Sequence, residues 1–222
     1  MNKSFKYVAF YDLDHTLLVV NSATHLVEEA RKRGIMRIKQ YRHAVYLSII
    51  YKLGLGNPTK MINRMLTWLK GLSTKLIGDL CVEVFESHLV QSIRPEILRT
   101  MEDHRSQNGA VVLLSSATLP VCAPIIDHLQ LDDLICTHLE EKNGILTGKT
   151  SGALVYGSEK KNRMISYCRE YGYDVSTAYY YGDSHTDRYV MEAVGKPVAV
   201  NPDKKLLKIA TRLNWPILVK KQ

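Results

Sequence analysis

Two aspartates one residue apart, Asp12 and Asp14, are the residues of this sequence best suited to chemistry, and Thr16 follows two residues later. They come directly after an apolar run, residues 7–11, whose β-favouring side chains predict a buried strand. If the chain stayed extended past that strand, both carboxylates would point to the same side. One carboxylate of such a pair can attack while the other shuttles a proton, and both can help to bind a hard cation. An ordinary polar turn is the alternative for these residues taken alone.

Three further polar clusters adjoin predicted elements in the second half of the chain. Carboxyl ends of parallel strands share one edge of a sheet, where ligands bind, and a lysine side chain can reach the same edge. Taken singly, each cluster has a plain alternative: a helix cap, a surface lysine or a Gly-Asp turn. Together with the first cluster they supply the hydroxyl, ammonium and carboxylate groups of a phosphoryl-transfer centre. The clusters contain Ser115 and Ser116, then Lys160 beside Lys161, then Asp183 and Asp187.

The elements that must position these residues alternate between strand and helix. This alternation predicts an α/β fold, a Rossmann-like parallel sheet with helices on both faces. A hairpin predicted over 139–148 turns at Asn143-Gly144, a favoured tight-turn dipeptide. Strands are predicted at 7–11, 110–114, 133–138, 177–181 and 197–200, and helices at 96–107, 119–129, 160–171, 186–194 and 203–213.

One long segment, residues 15–94, interrupts the alternation between the first and second strands. It is rich in helix formers, has no convincing strand pattern and is punctuated by glycines. Helices are predicted at 22–33, 37–53, 58–70 and 73–91. The segment therefore reads as a helical insertion into the α/β domain.

Composition is that of a globular protein, with 45% apolar and 23% charged residues in a chain of 222. The four cysteines are scattered without a metal-binding spacing, which predicts reduced, mostly buried thiols of an intracellular protein. No signal peptide or membrane span is recognisable, so a cytoplasmic location is expected.

The net charge of +8 is unevenly distributed. Residues 15–94 contain 12 Lys and Arg against 5 Asp and Glu, whereas residues 95–222 contain 16 against 15. The basic insertion also carries an apolar run over 44–51, and this combination can rest on an anionic membrane or bind a lipid phosphate. The alternative is that residues 44–53 pack inside the insertion while the basic residues form a solvated surface.

The order Asp-x-Asp-x-Thr, strand-Ser, Lys and Gly-Asp-Ser-x-x-Asp resembles the haloacid dehalogenase-like (HAD) hydrolase superfamily. The helical insertion is similar to the cap of its subfamily IB, the phosphoserine-phosphatase-like members. The resemblance implies a catalytic core domain of residues 1–16 and 95–222 and a helical cap domain of residues 17–94. The cap is expected to open for substrate entry and to close against bulk water.

The resemblance also implies roles for the site residues. Asp12 would be the nucleophile that forms an aspartyl-phosphate, and Asp14 the general acid and base. Mg²⁺ would bind the Asp12 side chain, the Asp14 main-chain carbonyl and Asp183. Phosphate-binding roles fall to Ser115, Ser116 and Lys160, and supporting roles to Thr16 and Asp187.

Two features depart from the family pattern. His15 stands where the family most often has glycine, and His185 occupies a variable position; each either contacts the substrate, tunes a pKa or simply fills a loop. Phosphoserine phosphatases usually carry an acidic residue shortly after the first motif, and residues 17–23 contain none, which argues against phosphoserine as the substrate.

The leading hypothesis is therefore a Mg²⁺-dependent phosphomonoester hydrolase acting on a small phosphorylated metabolite. The alternatives are a lipid-phosphate phosphatase at a membrane surface, a phosphotransferase or phosphomutase on the same scaffold, and an anion-binding module that uses the basic cap. Nucleic acid is not expected as a partner, because the acidic cluster would repel a polyanion. Peripheral membrane contact through the cap stays open, and the oligomeric state is not predicted.

Overall fold

The computed structural model describes residues 5–52 and 55–218, and its centre is a six-stranded parallel sheet. The strand order is β3-β2-β1-β6-β7-β8, and a separate hairpin pairs β4 with β5. The predicted fold class is confirmed. The strands are β1 (Tyr7–Tyr11), β2 (Gly109–Thr118), β3 (Asp133–Thr137), β4 (Leu139–Lys142), β5 (Ile145–Thr150), β6 (Tyr179–Gly182), β7 (Lys196–Val200) and β8 (Ile217–Leu218).

Nine helices connect or cover these strands in the described part of the chain. They are α1 (Ser22–Lys32), α2 (Ile38–Lys52), α3 (Pro58–Met65), α4 (Thr74–Val84), α5 (Pro95–Ser106), α6 (Leu119–Leu129), α7 (Ser158–Tyr171), α8 (Arg188–Met191) and α9 (Lys204–Arg212). None of these described helices is both long and apolar enough to cross a bilayer.

Strand β1 lies in the middle of the sheet, between β2 and β6. Tyr11, its last residue, pairs with Leu113 of β2 and with Tyr181 of β6. The chain continues to β2 on one side of β1 and reaches β6 on the other, so the strand order reverses there. A reversal of this kind opens a crevice at the carboxyl edge of a parallel sheet, where ligands bind.

Both faces of the sheet are covered, which explains why its central strands are almost continuously apolar. On one face, Val8 and Phe10 pack with buried residues of α7, α8 and α9. On the other face, Ala9 and Tyr11 belong to a cluster that includes residues of α5, α6 and the insertion. Alternate residues of β1 therefore serve two separate apolar layers.

The insertion between β1 and β2 contains α1 to α4. Asn21, Asn57 and Ser73 each accept a backbone N–H with the side chain at the start of α1, α3 and α4, which fixes where those helices begin. The helix predicted at 58–70 ends at Met65, and the chain continues as a 3₁₀ turn. The helix predicted at 73–91 is divided into α4, one π-helical turn and one 3₁₀ turn. The last residue predicted in helix 37–53 lies outside the described residues.

The two chain segments that connect the insertion to the sheet lie side by side. Leu18 and Ile93 form an antiparallel bridge. Val19 donates its N–H to the Ser92 carbonyl at 2.8 Å, and Arg94 donates to the Leu17 carbonyl at 2.9 Å. The insertion therefore leaves and re-enters the α/β domain at one place.

The hairpin β4–β5 contacts the insertion through its backbone. Gly71 donates to the Leu146 carbonyl, Leu146 to the Leu72 carbonyl and Thr74 to the Gly144 carbonyl, each at 2.9 Å. The hairpin turn itself is at Asn143 and Gly144, both with positive φ, as the dipeptide predicts. These hydrogen bonds form a second connection between insertion and sheet domain, which the sequence did not indicate.

Several boundaries differ from the prediction. β2 runs to Thr118 rather than ending at Leu114, and the helix predicted at 186–194 is a 3₁₀ turn followed by the four-residue α8. The two-residue β8 was not predicted, because so short an edge strand carries no periodicity. All four cysteines are buried free thiols, as expected.

Candidate active site

Asp12 is the first residue after β1 and lies at the crevice. Its N–H donates to the Tyr181 carbonyl at 2.9 Å, so the ladder between β1 and β6 continues into the site. The residue is 9% exposed. Because the register aligns Tyr11 with Leu113 and Tyr181, Asp12, Ser115 and Asp183 all fall at the carboxyl edge of the sheet.

The chain does not stay extended after Asp12, which corrects the geometry expected for the two aspartates. It turns through Leu13–Leu17, with Leu17 donating to the Asp12 carbonyl at 3.3 Å. His15 has φ 62°, in the left-handed region that glycine adopts without strain. This backbone requirement explains why glycine suits the position, and Arg94 donates to the His15 carbonyl at 3.2 Å.

Asp14 is oriented by the start of α1. Its carboxylate accepts the Ser22 N–H at 2.8 Å and the Asn21 side-chain amide at 3.0 Å. Burial raises the pKa of Asp14, and the bonds from Ser22 oppose that shift only partly. A carboxyl held in this way can carry a proton closer to neutral pH than an exposed aspartate can.

Lys160 lies between two aspartates. It is 3% exposed, and its Nζ donates to Asp12 Oδ1 at 2.7 Å and to Asp187 Oδ1 at 2.9 Å. Burial alone would lower the pKa of Lys160, but the charges of Asp12 and Asp187 outweigh it and the pKa is raised. The ammonium also lies 5.3 Å from the centre of the Tyr180 ring.

Asp187 is held by the turn that follows β6. Ser184 and Asp187 form a reciprocal capping box, in which the Asp187 Oδ2 accepts the Ser184 N–H at 3.3 Å. The Tyr180 hydroxyl donates to Asp187 Oδ1 at 2.7 Å. Asp187 is 3% exposed, so it reaches Lys160 from a fixed position.

Asp12, Asp183 and Asp187 form the acidic cluster among the described residues, with one carboxylate oxygen of each within 4.8 Å of the others. Burial, together with the charges of Asp12 and Asp187, raises the pKa of Asp183 to about 9. Burial raises the pKa of Asp12 to about 7, against the opposing effect of Lys160. One lysine cannot balance three carboxylates, and such all-oxygen donors suit Mg²⁺.

Two predicted site residues lie differently around this cluster. The Asp14 carboxylate is not part of the acidic cluster, because Asn21 and Ser22 bind that carboxylate. The group of Asp14 expected to bind the metal is its main-chain carbonyl, which is separate from the carboxylate. Thr16 is fully buried and donates to Asp183 Oδ1 at a long 3.4 Å.

Ser115 and Ser116 lie inside β2, not in a loop after it. The pairing of β2 with β3 shifts register between Leu114 and Thr118, an irregularity of the kind that redirects side chains at strand ends. Ser115 is 2% exposed and its Oγ accepts the Ala117 N–H at 3.1 Å. Thr137 fixes the segment by donating to the Ser116 carbonyl at 3.0 Å.

Four residues that support the site were not predicted: Asn21, Ser22, Arg94 and Tyr180. Tyr180 was read as one of several apolar residues of β6, although its hydroxyl reaches Asp187. A buried tyrosine needs a hydrogen-bond partner, and that was the available signal. His185 is placed by its backbone, whose N–H donates to Asp203 at 2.8 Å.

The arrangement can support nucleophilic chemistry on an anionic substrate. It combines a buried carboxylate at a strand end, a fixed ammonium beside it, a second carboxyl with a raised pKa, and an acidic cluster suited to a cation. These are the parts that transfer of a phosphoryl group requires.

Comparison with known proteins agrees with this chemistry. The chain is 28% identical over 95% of its length to an inhibition of morphological differentiation protein of Streptomyces azureus, of which the match covers 77%. It is 25% identical over 94% of its length to a phosphoserine phosphatase of Mycobacterium tuberculosis (69% covered), and 24% identical over 96% to a histidinol-phosphatase of Neisseria meningitidis (98% covered).

Solved structures share the fold. A protein of unknown function from Bordetella pertussis superposes with a TM-score of 0.88 at 24% identity, covering 96% of this chain and 98% of that one. A substrate-bound phosphoserine phosphatase gives 0.72 at 17% identity, covering 97% and 93%. A family model described as haloacid dehalogenase-like hydrolase matches residues 9–192, which include every predicted site residue. The family that the motifs indicated is confirmed: this chain belongs to the haloacid dehalogenase-like hydrolases.

Proposed function

We propose that the protein is a Mg²⁺-dependent phosphatase that hydrolyses a small phosphate monoester through an aspartyl-phosphate on Asp12. The observation that carries this proposal is the position of Lys160 between Asp12 and Asp187, at 2.7 and 2.9 Å. A fixed ammonium beside the nucleophile can orient one of its oxygens and neutralise the incoming phosphoryl group. The names of the relatives support the same reaction.

The proposed reaction has two steps. A carboxylate oxygen of Asp12 attacks phosphorus as the bond from phosphorus to the ester oxygen breaks, and Asp14 gives its proton to the departing oxygen. Water then attacks the phosphorus of the acyl phosphate while Asp14 takes up a proton, which releases inorganic phosphate and restores both aspartates. The raised pKa of Asp14 favours the protonated form that the first step needs.

The other residues position the phosphoryl group. Lys160 neutralises one oxygen, Ser115 and backbone N–H groups near Ser116 bind others, and Asp187 positions Lys160. Asp12 and Asp183 would hold Mg²⁺, with the main-chain carbonyl of Asp14. The bound ion would screen the repulsion between carboxylate and phosphate.

The substrate class rests on the relatives and on what the sequence lacks. Proteins named for phosphoserine and for histidinol phosphate are among the relatives, and both names denote small phosphate monoesters. No acidic residue follows the first motif within residues 17–23, which disfavours a substrate amine at that position. We therefore propose a small phosphorylated metabolite other than phosphoserine, in the cytoplasm.

The test is phosphate release from a panel of phosphorylated metabolites, nucleotides and lipid phosphates, with Mg²⁺ and with EDTA. Asp12→Asn should abolish turnover at unchanged folding, whereas Asp127→Asn, at an exposed position of α6, should not change it. Retained activity in Asp12→Asn would contradict the proposed nucleophile. Adding acceptor alcohols separates a phosphotransferase, which would form a new ester instead of releasing phosphate.

A further inference from the structure

One long stretch of the insertion contains basic residues and no acidic ones. Between residues 30 and 78 the chain has eleven Lys and Arg and no Asp or Glu. In the described residues, the ion pairs of this stretch join Lys32, Arg33 and Lys75 to acidic residues outside it. The remaining cations of the stretch are Arg31, Arg37, Lys39, Arg42, Lys52, Lys60, Arg64 and Lys70.

Helix α2, within this stretch, is apolar on two faces. Leu47 is 4% exposed and lies in the apolar interior of the insertion. On the opposite side, Ile38, Val45 and Ile49 are 49%, 40% and 53% exposed, and Tyr46 is 58% exposed. The alternative that residues 44–53 pack inside the insertion therefore does not describe Val45, Tyr46 and Ile49. A helix with a second apolar face needs something to cover it.

The exposed residues form one stripe. Ile38, Val45 and Ile49 are spaced i, i+7 and i+11, which places them on the same side of a helix, with Arg42 between them at i+4. Tyr46 adjoins this line. We call Ile38, Arg42, Val45, Tyr46 and Ile49 the α2 stripe. Its aliphatic centre, with a cation and a tyrosine beside it, offers side chains that can meet both the acyl chains and the headgroups of a bilayer.

A cavity lies on the side of α2 that faces α3, and none of the residues of the α2 stripe lines it. It has a volume of about 230 Å³ and is lined by Lys39, His43 and Arg64 around the buried Trp68. Cationic side chains over an apolar floor suit a group that is anionic at one end and apolar at the other. A phospholipid at the bilayer surface is such a group.

We propose that the α2 stripe is a docking surface for an anionic lipid bilayer, with helix α2 lying in the plane of the interface. A second copy of the chain is a poor occupant, because two faces without acidic residues would repel each other. Nucleic acid matches the charge but not the aliphatic centre, which has no role against phosphates. An anionic bilayer would attract the basic residues to its headgroups and would cover the apolar residues of the stripe.

This docking surface is separate from the candidate active site. None of its residues contacts the cluster of Asp12, Lys160 and Asp187 in the described hydrogen bonds and ion pairs. The proposal therefore goes beyond the hydrolase reaction, and either can fail without the other.

Vesicle flotation tests the proposal with the full-length protein. Wild type should float with vesicles of phosphatidylcholine and phosphatidylglycerol at low salt, much less at high salt, and not with phosphatidylcholine alone. Ile49→Glu and Arg42→Glu should each weaken binding by about tenfold or more. Leu207→Glu, at an exposed leucine of α9 remote in sequence, is the matched control and should bind as wild type does.

Circular dichroism spectra and thermal unfolding midpoints should be equal in all four proteins, which shows that each variant is folded. Absence of flotation with anionic vesicles at low salt would overturn the proposal, as would equal flotation of Ile49→Glu and wild type. A concentration-dependent dimer abolished by Ile49→Glu, without vesicle binding, would assign the stripe to a second copy. Binding of duplex DNA that is insensitive to Ile49→Glu, again without vesicle binding, would assign the charge to nucleic acid.

Discussion

A buried ammonium between two buried carboxylates is the central feature of the site. Lys160, Asp12 and Asp187 are all under 10% exposed, and the hydroxyl of Tyr180 adds a further hydrogen bond. Removal of one partner from such a group leaves an unpaired charge in a place that cannot solvate it. The network therefore fixes Asp12, the proposed nucleophile, and we expect each of its members to be sensitive to substitution.

The two adjacent lysines provide a matched pair of variants. Lys160→Met should reduce kcat by roughly 10²–10³, the effect of removing one electrostatic donor to a developing oxyanion. Lys161→Met should change it little, because Lys161 is half-buried on α7 and Lys160 makes the contacts with Asp12 and Asp187. Steady-state kinetics and circular dichroism of both variants test this. Equal losses of kcat in Lys160→Met and Lys161→Met would mean that Lys160 affects turnover only by stabilising α7.

Asp183 gives a prediction about stability and pH. Its pKa of about 9 in the fold lies above the ordinary aspartate value of 3.8, so its ionised form is disfavoured in the metal-free fold. The loss of folding stability caused by the raised pKa of Asp183 is absent below pH 4 and grows as pH rises towards 9. Asp183→Asn should therefore raise the metal-free free energy of unfolding at pH 7.5 by about 1 kcal/mol or more.

Thermal unfolding with and without Mg²⁺ checks this prediction. Mg²⁺ should raise the Tm of wild type and leave that of Asp183→Asn nearly unchanged, because the variant lacks a ligand. A variant that is less stable than wild type without metal would show that the carboxylate contributes favourable contacts that outweigh repulsion.

Residue identities were more predictable than residue orientations. The eight predicted site residues came from their types and order in the sequence, and the structure brings Asp12, Lys160, Asp183 and Asp187 together. The orientation of Asp14 was not predictable, because it depends on the left-handed turn at His15 and on Ser22 at the start of α1. Such contacts depend on tertiary geometry that strand periodicity does not encode.

At the scale of elements, helix α5 is joined to the sheet through a buried polar cluster. His104 of α5 is 5% exposed and shares hydrogen bonds of 2.9 Å with the hydroxyls of Tyr7 and Tyr181, on the neighbouring strands β1 and β6. Tyr11 is hydrogen-bonded to Thr100 of the same helix at 3.0 Å. α5 directly follows the segment that returns from the insertion, so this cluster fixes one end of that connection.

Protonation of His104 should destabilise the fold. Burial lowers the pKa of His104 below its ordinary value of 6.5, so the fold favours the neutral imidazole. The contribution of neutral His104 to the free energy of unfolding is therefore complete above pH 6.5 and is lost as pH falls below it. His104→Gln keeps hydrogen-bonding groups without the titration. The difference in unfolding free energy between wild type and this variant should narrow from pH 7.5 to pH 5, in urea titrations at each pH. A constant difference would contradict the assignment.

Elements with strong local signals were predictable, and those defined by neighbours were not. Helix α6 spans 119–129 as predicted, and the Asn143-Gly144 dipeptide located the hairpin. The continuation of β2 through Ser115 and Ser116 was missed, because polar residues end the apolar pattern, although β2 pairs with β3 again at Thr118. The helix predicted at 58–70 likewise changes type at Leu66, beside the hairpin.

At the scale of the whole molecule, insertion and sheet domain share one apolar interior. A single buried cluster contains Ala9, Tyr11 and Leu113 of the sheet together with Ile77 and Leu80 of α4. Backbone hydrogen bonds from the hairpin to residues 71–74 add a second contact. The opening expected of the cap therefore has to preserve this interior.

The shared interior predicts one unfolding transition. The two tryptophans lie on opposite sides of the boundary, Trp68 in the insertion and Trp215 after α9. Trp215→Phe leaves Trp68 as the fluorescent reporter, and Trp68→Phe leaves Trp215. For each variant, the urea midpoint from tryptophan fluorescence should coincide with the midpoint of the same variant from circular dichroism. An earlier midpoint for the Trp68 reporter would show that the insertion unfolds separately.

The pairing of Leu18 with Ile93 has a consequence for how such a protein can diversify. Because the two ends of the insertion meet at adjacent backbone positions, another segment of any length could be grafted there without changing the order of the strands. The graft would have to bring its own apolar patch to cover the sheet, since α1 and α4 now do so. Asp12, Lys160 and Asp183 would pass unchanged from one graft to the next, whereas each graft would have to supply its own groups in place of Asn21 and Ser22 to hold the Asp14 carboxylate.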